Sequence, residues 1–284
     1  MAEFTNQASL RYNDTVTNSN IVVGNIVQSL EITKTAVRPE YYTDEDTTYV
    51  ISITNSSAEA LVGLTVTDNL GAYQWNEATL VPLSYIEGSL RYYVNGVLQP
   101  ELDPDAGETL VIPGVSVPAN GNAMLIYEVR PNIYAPSEAG STITNTATAE
   151  GRGVAETIAA DEVVTVSDRV LLSISKSVEP TTVTANGQIT YTFVIQNTGN
   201  APADAAVAAI VEDTFDPALQ GLTATYNGTA LVAGRDYTYD QTTGAFETAA
   251  GTIQIDAAAF ARNETTGAFA VTPSVGVLVV SGTI

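Results

Sequence analysis

Short runs of apolar–polar alternation recur along the chain, separated by clusters of Asn, Gly, Ser and Pro. In Leu30–Ala36, the residues Leu30, Ile32, Lys34 and Ala36 share one side, and Glu31, Thr33 and Thr35 share the other. That is the period of a half-buried β-strand. The same period marks 47–57, 63–71, 90–100, 122–131 and 141–150. Asn95-Gly96 and Asn227-Gly228 each lie between alternating runs, which predicts tight hairpins.

The pattern then repeats. SISKSV around Lys176 matches EITKTA around Lys34, and Tyr49 and Asn55 fall on Tyr191 and Asn197, all at one offset (176 − 34 = 142). Asp68 falls on Asp213, at a slightly larger one (213 − 68 = 145). The Ala-rich stretch 203–213 has helix propensity, but the repeat assigns it to a strand. Many short strands, turn-rich joins and little helical periodicity predict an all-β chain of two tandem immunoglobulin-like β-sandwich domains. The expected boundaries are an N-terminal strand and connector (1–28), a first domain (29–151), a second connector (152–169) and a second domain (170–284).

One segment is duplicated out of place. Thr5-Asn6-Gln7-Ala8-Ser9-Leu10 resembles Thr144-Asn145-Thr146-Ala147-Thr148-Ala149, the predicted closing strand of the first domain. No asparagine follows Asn263, so the second domain is expected to lack its own closing strand. Phe4, Asn6, Ala8 and Leu10 share a face of the outer copy. The expectation is that this outer copy is donated to the second domain of a neighbouring molecule, since an unfilled sandwich exposes strand edges and an apolar groove. Head-to-tail donation propagates as an open homopolymer.

Composition narrows the function. A net charge of −22 over 284 residues opposes nucleic acid and anionic lipid. No run is long and apolar enough to insert in a membrane. Without Cys or His there are no disulfides, thiolate metal sites, thiol nucleophiles or imidazole bases, and no cofactor or metal is expected. The opening residues lack the basic start and apolar core of a signal peptide.

Only two lysines occur, at equivalent places in the repeat. Lys34, Asp68 and Asn145 each fall on the apolar face of a predicted strand, where such groups need partners. One explanation is a hydrogen-bonded polar cluster. The other is an intramolecular isopeptide bond. An apolar setting favours a neutral, nucleophilic lysine and a protonated acid that polarises the carboxamide. Asp68 and Asp213 are the candidate acids, with Lys34 and Asn145 joined within the chain and Lys176 and Asn6 joined between chains. Either reaction happens once per bond, which is self-maturation and not enzymic turnover.

A first-strand lysine with a last-strand asparagine resembles the isopeptide-bonded domains of Gram-positive pilins and collagen-binding adhesins. The ITKTA, YVISITNSS, TVTDNL and ITNTATA series is similar to a tandem domain of unknown function found in microbial surface proteins. The resemblance implies an extracellular, cell-surface location. The favoured reading is a fibre or pilus-like subunit whose partner is itself. The alternative is an adhesin module, with Tyr73, Trp75, Tyr92 and Tyr93 as candidate sugar-facing aromatics. The sequence names no host or surface ligand.

Overall fold

The computed structural model describes residues 2–12, 15–26, 29–154 and 156–284, and no helix forms among them. The chain is all-β, as the alternation predicts. It divides into two compact units, 1–136 with 142–165 and 137–141 with 166–284.

The N-terminal residues form a two-stranded ribbon. β1 (Ala2–Asn6) and β2 (Ser9–Tyr12) run out, and β3 (Thr15–Asn18) and β4 (Val22–Ile26) return. β1 pairs β4 with Asn6 opposite Val22, and β2 pairs β3 with Ser9 opposite Asn18. Ser19 bridges the break, because its N–H donates to the Ala8 carbonyl at 2.8 Å and its Oγ accepts the Ala8 N–H at 2.9 Å. The single strand expected over Ala2–Asn13 is therefore half of a ribbon, because the connector behind it has its own extended residues to pair with. Asn13, like Asp14, Val27 and Gln28 of the expected connector, lies outside the described residues.

The first unit continues with β5 (Leu30–Ala36), β6 (Glu40–Tyr41), β7 (Thr47–Asn55), β8 (Leu61–Asp68), β9 (Tyr73–Trp75), β10 (Ala78–Leu80), β11 (Leu83–Tyr85), β12 (Arg91–Val94), β13 (Val97–Leu98), β14 (Asp105–Ala106), β15 (Leu110–Val117), β16 (Gly121–Pro131), β17 (Thr142–Glu150) and β18 (Ile158–Val166). One sheet has the order β13-β12-β16-β7-β5, with β11 also on β16, and the other runs β14-β15-β8-β17-β18-β6. Inward residues of both sheets are sealed from water, among them Ile51, Ile53 and Leu125 against Leu64, Val66 and Ile112. Each such side chain contributes about 1.5–3 kcal/mol of burial free energy. The Asn95-Gly96 turn joins β12 to β13 with both residues at positive φ, as its sequence predicts.

One boundary differs from expectation. Residues 158–166 were placed in a connector but form β18, which pairs β17 from Thr142 to Ala149. Asp161 and Glu162 interrupt the apolar alternation of this stretch. The alternation of Val164 and Val166, both buried, prevails and extends the sheet.

The second unit holds β19 (Leu172–Glu179), β20 (Gln188–Asn197), β21 (Glu212–Thr214), β22 (Gln220–Tyr226), β23 (Thr229–Ala230), β24 (Tyr237–Tyr239), β25 (Ala245–Thr248), β26 (Ala259–Arg262), β27 (Phe269–Thr272) and β28 (Ser274–Thr283). Its sheets are β19-β20-β28-β22-β23 and the shorter β21-β25-β24, with β26 and β27 paired apart. Phe193, Ile195, Phe215, Leu219, Leu278 and Val280 form its core. The stretch 203–213 is a strand only from Glu212. Asp204 Oδ1 accepts the N–H groups of Ala206 at 2.9 Å and Val207 at 3.3 Å, and this local turn replaces ladder pairing.

The two units differ where the repeat is otherwise in register. Leu30 and Ile32 of β5 are buried, at 5% and 8% exposure, while the equivalent Leu172 and Ile174 of β19 stand at 39% and 56%. β8 lies between β15 and β17, whereas β21 has only β25 beside it among the described residues.

Candidate functional site

The alternation of β5 turns Lys34 inward behind Leu30 and Ile32, and β8 ends with Asp68 facing the same core. Nζ of Lys34 contacts Oδ2 of Asp68, and both side chains are fully excluded from solvent. The other carboxylate oxygen accepts the Leu70 N–H at 2.8 Å, which fixes the acid on its turn. The Tyr127 hydroxyl donates to Asp68 Oδ2 and lies 3.1 Å from the Lys34 amine. Tyr49 and Tyr127 stack with centroids 6.0 Å apart, and Lys34 Nζ sits 4.8 Å from the Tyr49 centroid. The register of β7 and β16 places these two tyrosines opposite each other.

Asn145 enters from β17 and is wholly buried. Its Oδ1 accepts the Gly71 N–H at 3.1 Å, which sets the orientation of the carboxamide. Its Nδ2 has no hydrogen-bond partner among the described residues, and neither has the Tyr49 hydroxyl. Asn145 is near enough to both tyrosine hydroxyls to influence them, in a geometry that leaves its own Nδ2 and the Tyr49 hydroxyl unsatisfied among the described residues. An unpaired buried donor ordinarily costs about 1–3 kcal/mol. Gly71 suits its place in two ways: its φ is +73°, and an added Cβ would lie 2.5 Å from Cγ2 of Ile143.

Burial pushes the Lys34 amine below its ordinary pKa, and this outweighs the opposing pull of Asp68. Burial also raises both tyrosines well above theirs, with the charge of Asp68 adding to it. The arrangement thus holds an amine biased toward its neutral form, an acid against it, and a carboxamide whose oxygen is held by a backbone N–H and whose nitrogen has no hydrogen-bond partner among the described residues. Those are the parts needed for attack on a carboxamide carbon.

The three residues singled out by sequence therefore share one buried cluster. Tyr49, Tyr127 and Gly71 were not singled out. The tyrosines carried a signal, since each falls at an inward position of an alternating strand. Gly71 carried none, because its role comes from the turn that follows β8.

In the second unit Lys176 Nζ contacts Asp213 Oδ2, reproducing the first half of the site. The amine lies 4.6, 5.2 and 5.4 Å from the ring centroids of Tyr191, Phe215 and Phe193. Its side chain is 39% exposed, and no asparagine completes the pair among the described residues. Val280 stands opposite Tyr191, where Tyr127 stands opposite Tyr49. Asn6 is exposed in the ribbon, as are Phe4, Ala8 and Leu10, and the structure does not bring them to Lys176. Of the candidate aromatics, Tyr92 is buried with its hydroxyl donating to Ser116 O, and the Tyr73 hydroxyl donates to Tyr134 O, so both serve the packing of the first unit.

No protein-family model and no curated protein matches the chain. Similar solved structures include Gram-positive pilin and adhesin domains. The major pilin subunit BcpA of Bacillus cereus is 12% identical with a TM-score of 0.37, over 95% of this chain and 73% of that one. The RrgB pilus backbone of Streptococcus pneumoniae is 12% identical with a TM-score of 0.35, over 86% of this chain and 55% of that one. A collagen-binding domain of a Staphylococcus aureus adhesin is 12% identical with a TM-score of 0.30, over 51% of this chain and 100% of that one.

Proposed function

We propose that this chain is the structural subunit of an extracellular, cell-surface fibre, joined head to tail by donation of its N-terminal segment to the second unit of the next subunit. The observation that carries this reading is the contrast between β5 and β19. Equivalent apolar residues are covered in one unit and exposed in the other, beside a β8 that is paired on both edges and a β21 that is paired on one. In the first unit β17 supplies what the second lacks: ladder bonds to β8, and the side chains of Ile143, Asn145 and Ala147. Phe4, Asn6 and Ala8 repeat those positions in the same order. Donation satisfies both the exposed face and the open edge.

The same reading assigns chemistry to the polar cluster. The neutral Lys34 amine attacks Cγ of Asn145, with Asp68 supplying a proton and the Gly71 N–H holding the oxygen as charge develops there. A C–N bond forms and the carboxamide C–N bond breaks; the attacking amine gives up one proton, Asp68 relays one proton to the leaving nitrogen, and ammonia departs. At the joint, Lys176 and Asp213 act on the donated Asn6, and the fibre becomes covalent. Folding presses the groups together once, so each bond needs no external catalyst.

The test is electrophoresis of boiled, denatured protein beside electron microscopy of the native sample. Filaments and a ladder of multimers are expected. Asn6→Ala should reduce the ladder to a single band while filaments still form through Phe4, Ala8 and Leu10. A single band and no filaments from the wild type would sink the proposal.

A further inference from the structure

We infer that the element passed between subunits is the whole two-stranded ribbon Ala2–Ile26, not a lone strand. The inference rests on the donation reading above and specifies its occupant as a second copy of this chain.

β17 does not close the first unit by itself. β18 covers its outer edge, with Ile143 opposite Val164 and Asn145 opposite Glu162. β18 then seals Val164 and Val166 into the core and lies against β6. Glu162 Oε1 also accepts the Ala36 N–H at 3.0 Å, tying this second strand to the lysine-bearing β5. A single strand in that position would leave a hydrogen-bonding edge open along its whole length.

The β1–β4 half of the ribbon reproduces this pairing in register. With Asn6 placed on Asn145, the pair Phe4–Gly24 falls on Ile143–Val164, and Thr5–Val23 falls on Thr144–Val163. Bulk is redistributed within the first pair. The Phe4 ring occupies the space above Gly24, and a Cβ there would lie 2.3 Å from the ring. Each hairpin also directly precedes a first strand that bears a lysine: β18 precedes β19, and β4 precedes β5.

The ribbon has no core of its own. Phe4, Leu10, Val16 and Val22 are each more than half exposed. A free two-stranded hairpin is marginal in water, so its formed ladder gains most by being kept while its apolar face is buried. Passing only β1 and β2 would break that ladder and strand Val22 and Val23 in solvent. The β17–β8 register carries over to the joint. Ala147 lies opposite Asp68, so Ala8 lies opposite Asp213, Ser9 opposite Glu212 and Leu10 opposite Val211. Arg11 then falls diagonal to Glu212, which places a scarce cation beside an acid.

A disulfide lock separates the two modes. The chain has no cysteine of its own. Thr5→Cys with Val23→Cys joins β1 to β4 on the side equivalent to Thr144 and Val163, both of which are exposed in the first unit. Assembly of the oxidised full chain, followed by light scattering and microscopy, should match that of the same protein under reductant. Assembly that appears only after reduction would overturn the ribbon and leave strand donation standing. No assembly of the wild type would remove both. A second lock, Ser9→Cys with Asn18→Cys, guards against a local defect. If neither reduced variant assembles while wild type does, the outward face lies in the joint and the register above is wrong.

Discussion

Replacing Asn145 with alanine isolates the worth of the internal bond. The proposed bond from Lys34 to Asn145 would close a loop of about 110 residues, for which the chain-entropy relation gives roughly 5 kcal/mol of stabilisation. Alanine also leaves the Gly71 N–H without its acceptor, a loss of about 1–3 kcal/mol that removal of the orphaned Nδ2 partly offsets. For a unit of roughly 130 residues the unfolding entropy is about 0.27 kcal/mol per kelvin, so the loop term alone corresponds to a fall in Tm of roughly 15–20 °C. Calorimetry on the full chain should show one of its transitions moving by that amount. Intact mass should show the mature wild type lighter than its sequence by one ammonia for the internal bond, with Asn145→Ala retaining it. Asp68→Asn keeps both reacting residues and removes the acid, so it should likewise retain the ammonia. A wild-type mass equal to that of the sequence would refute the mechanism. A bonded wild type with a Tm difference under about 5 °C would refute the loop-entropy magnitude.

Two further outcomes probe how the site works. Tyr127→Phe keeps the ring stack and removes the hydroxyl from Asp68 and Lys34, so ammonia loss after refolding should slow by about tenfold or more, a factor usual for a group that holds an acid in place, while the final mass is unchanged. An equal rate would make Tyr127 a packing residue only. Ammonia loss should also slow as pH falls below the depressed pKa of Lys34, because only the neutral amine reacts. The sign for stability is the same. In unbonded Asn145→Ala the unfolded chain holds the lysine proton to higher pH than the folded one, so stability rises with pH between the two pKa values and is lost as pH falls through that window. Melting at several pH values checks this, and adding Lys34→Met should flatten the dependence.

The strands were legible wherever burial fell on one face. Period two marked β5, β7, β16 and β17 because their inward residues are wholly enclosed, and the Asn-Gly turns marked two hairpins. Legibility failed where a local bond competes with the ladder, as Asp204 does in the Ala-rich stretch, and where charges interrupt the alternation, as Asp161-Glu162 do in β18. At the site, Lys34, Asp68 and Asn145 stood out because charged and amide groups are rare on an apolar face. Tyr49 and Tyr127 did not, since a tyrosine on that face is ordinary. Their opposition depends on strand register, which sequence period alone leaves open.

The departures between the two units also bear on the order of events. At the second site Val280 replaces the Tyr127 hydroxyl, and Asp216-Pro217 replaces the turn that offers the Gly71 N–H. The Lys176–Asp213 pair keeps its aromatic surround but lacks the hydroxyl that contacts the first site's acid. Its lysine side chain is also partly open to solvent. On the proposed reading, the incoming ribbon would cover Leu172 and Ile174, exclude water from Lys176 and present Asn6. Such a site would be inert in a free subunit and would close only after a neighbour has docked. The proposed internal bond, whose groups all lie in one unit, would precede it. That sequence would keep the acceptor open until it is filled and make the covalent step the record of a correctly seated joint.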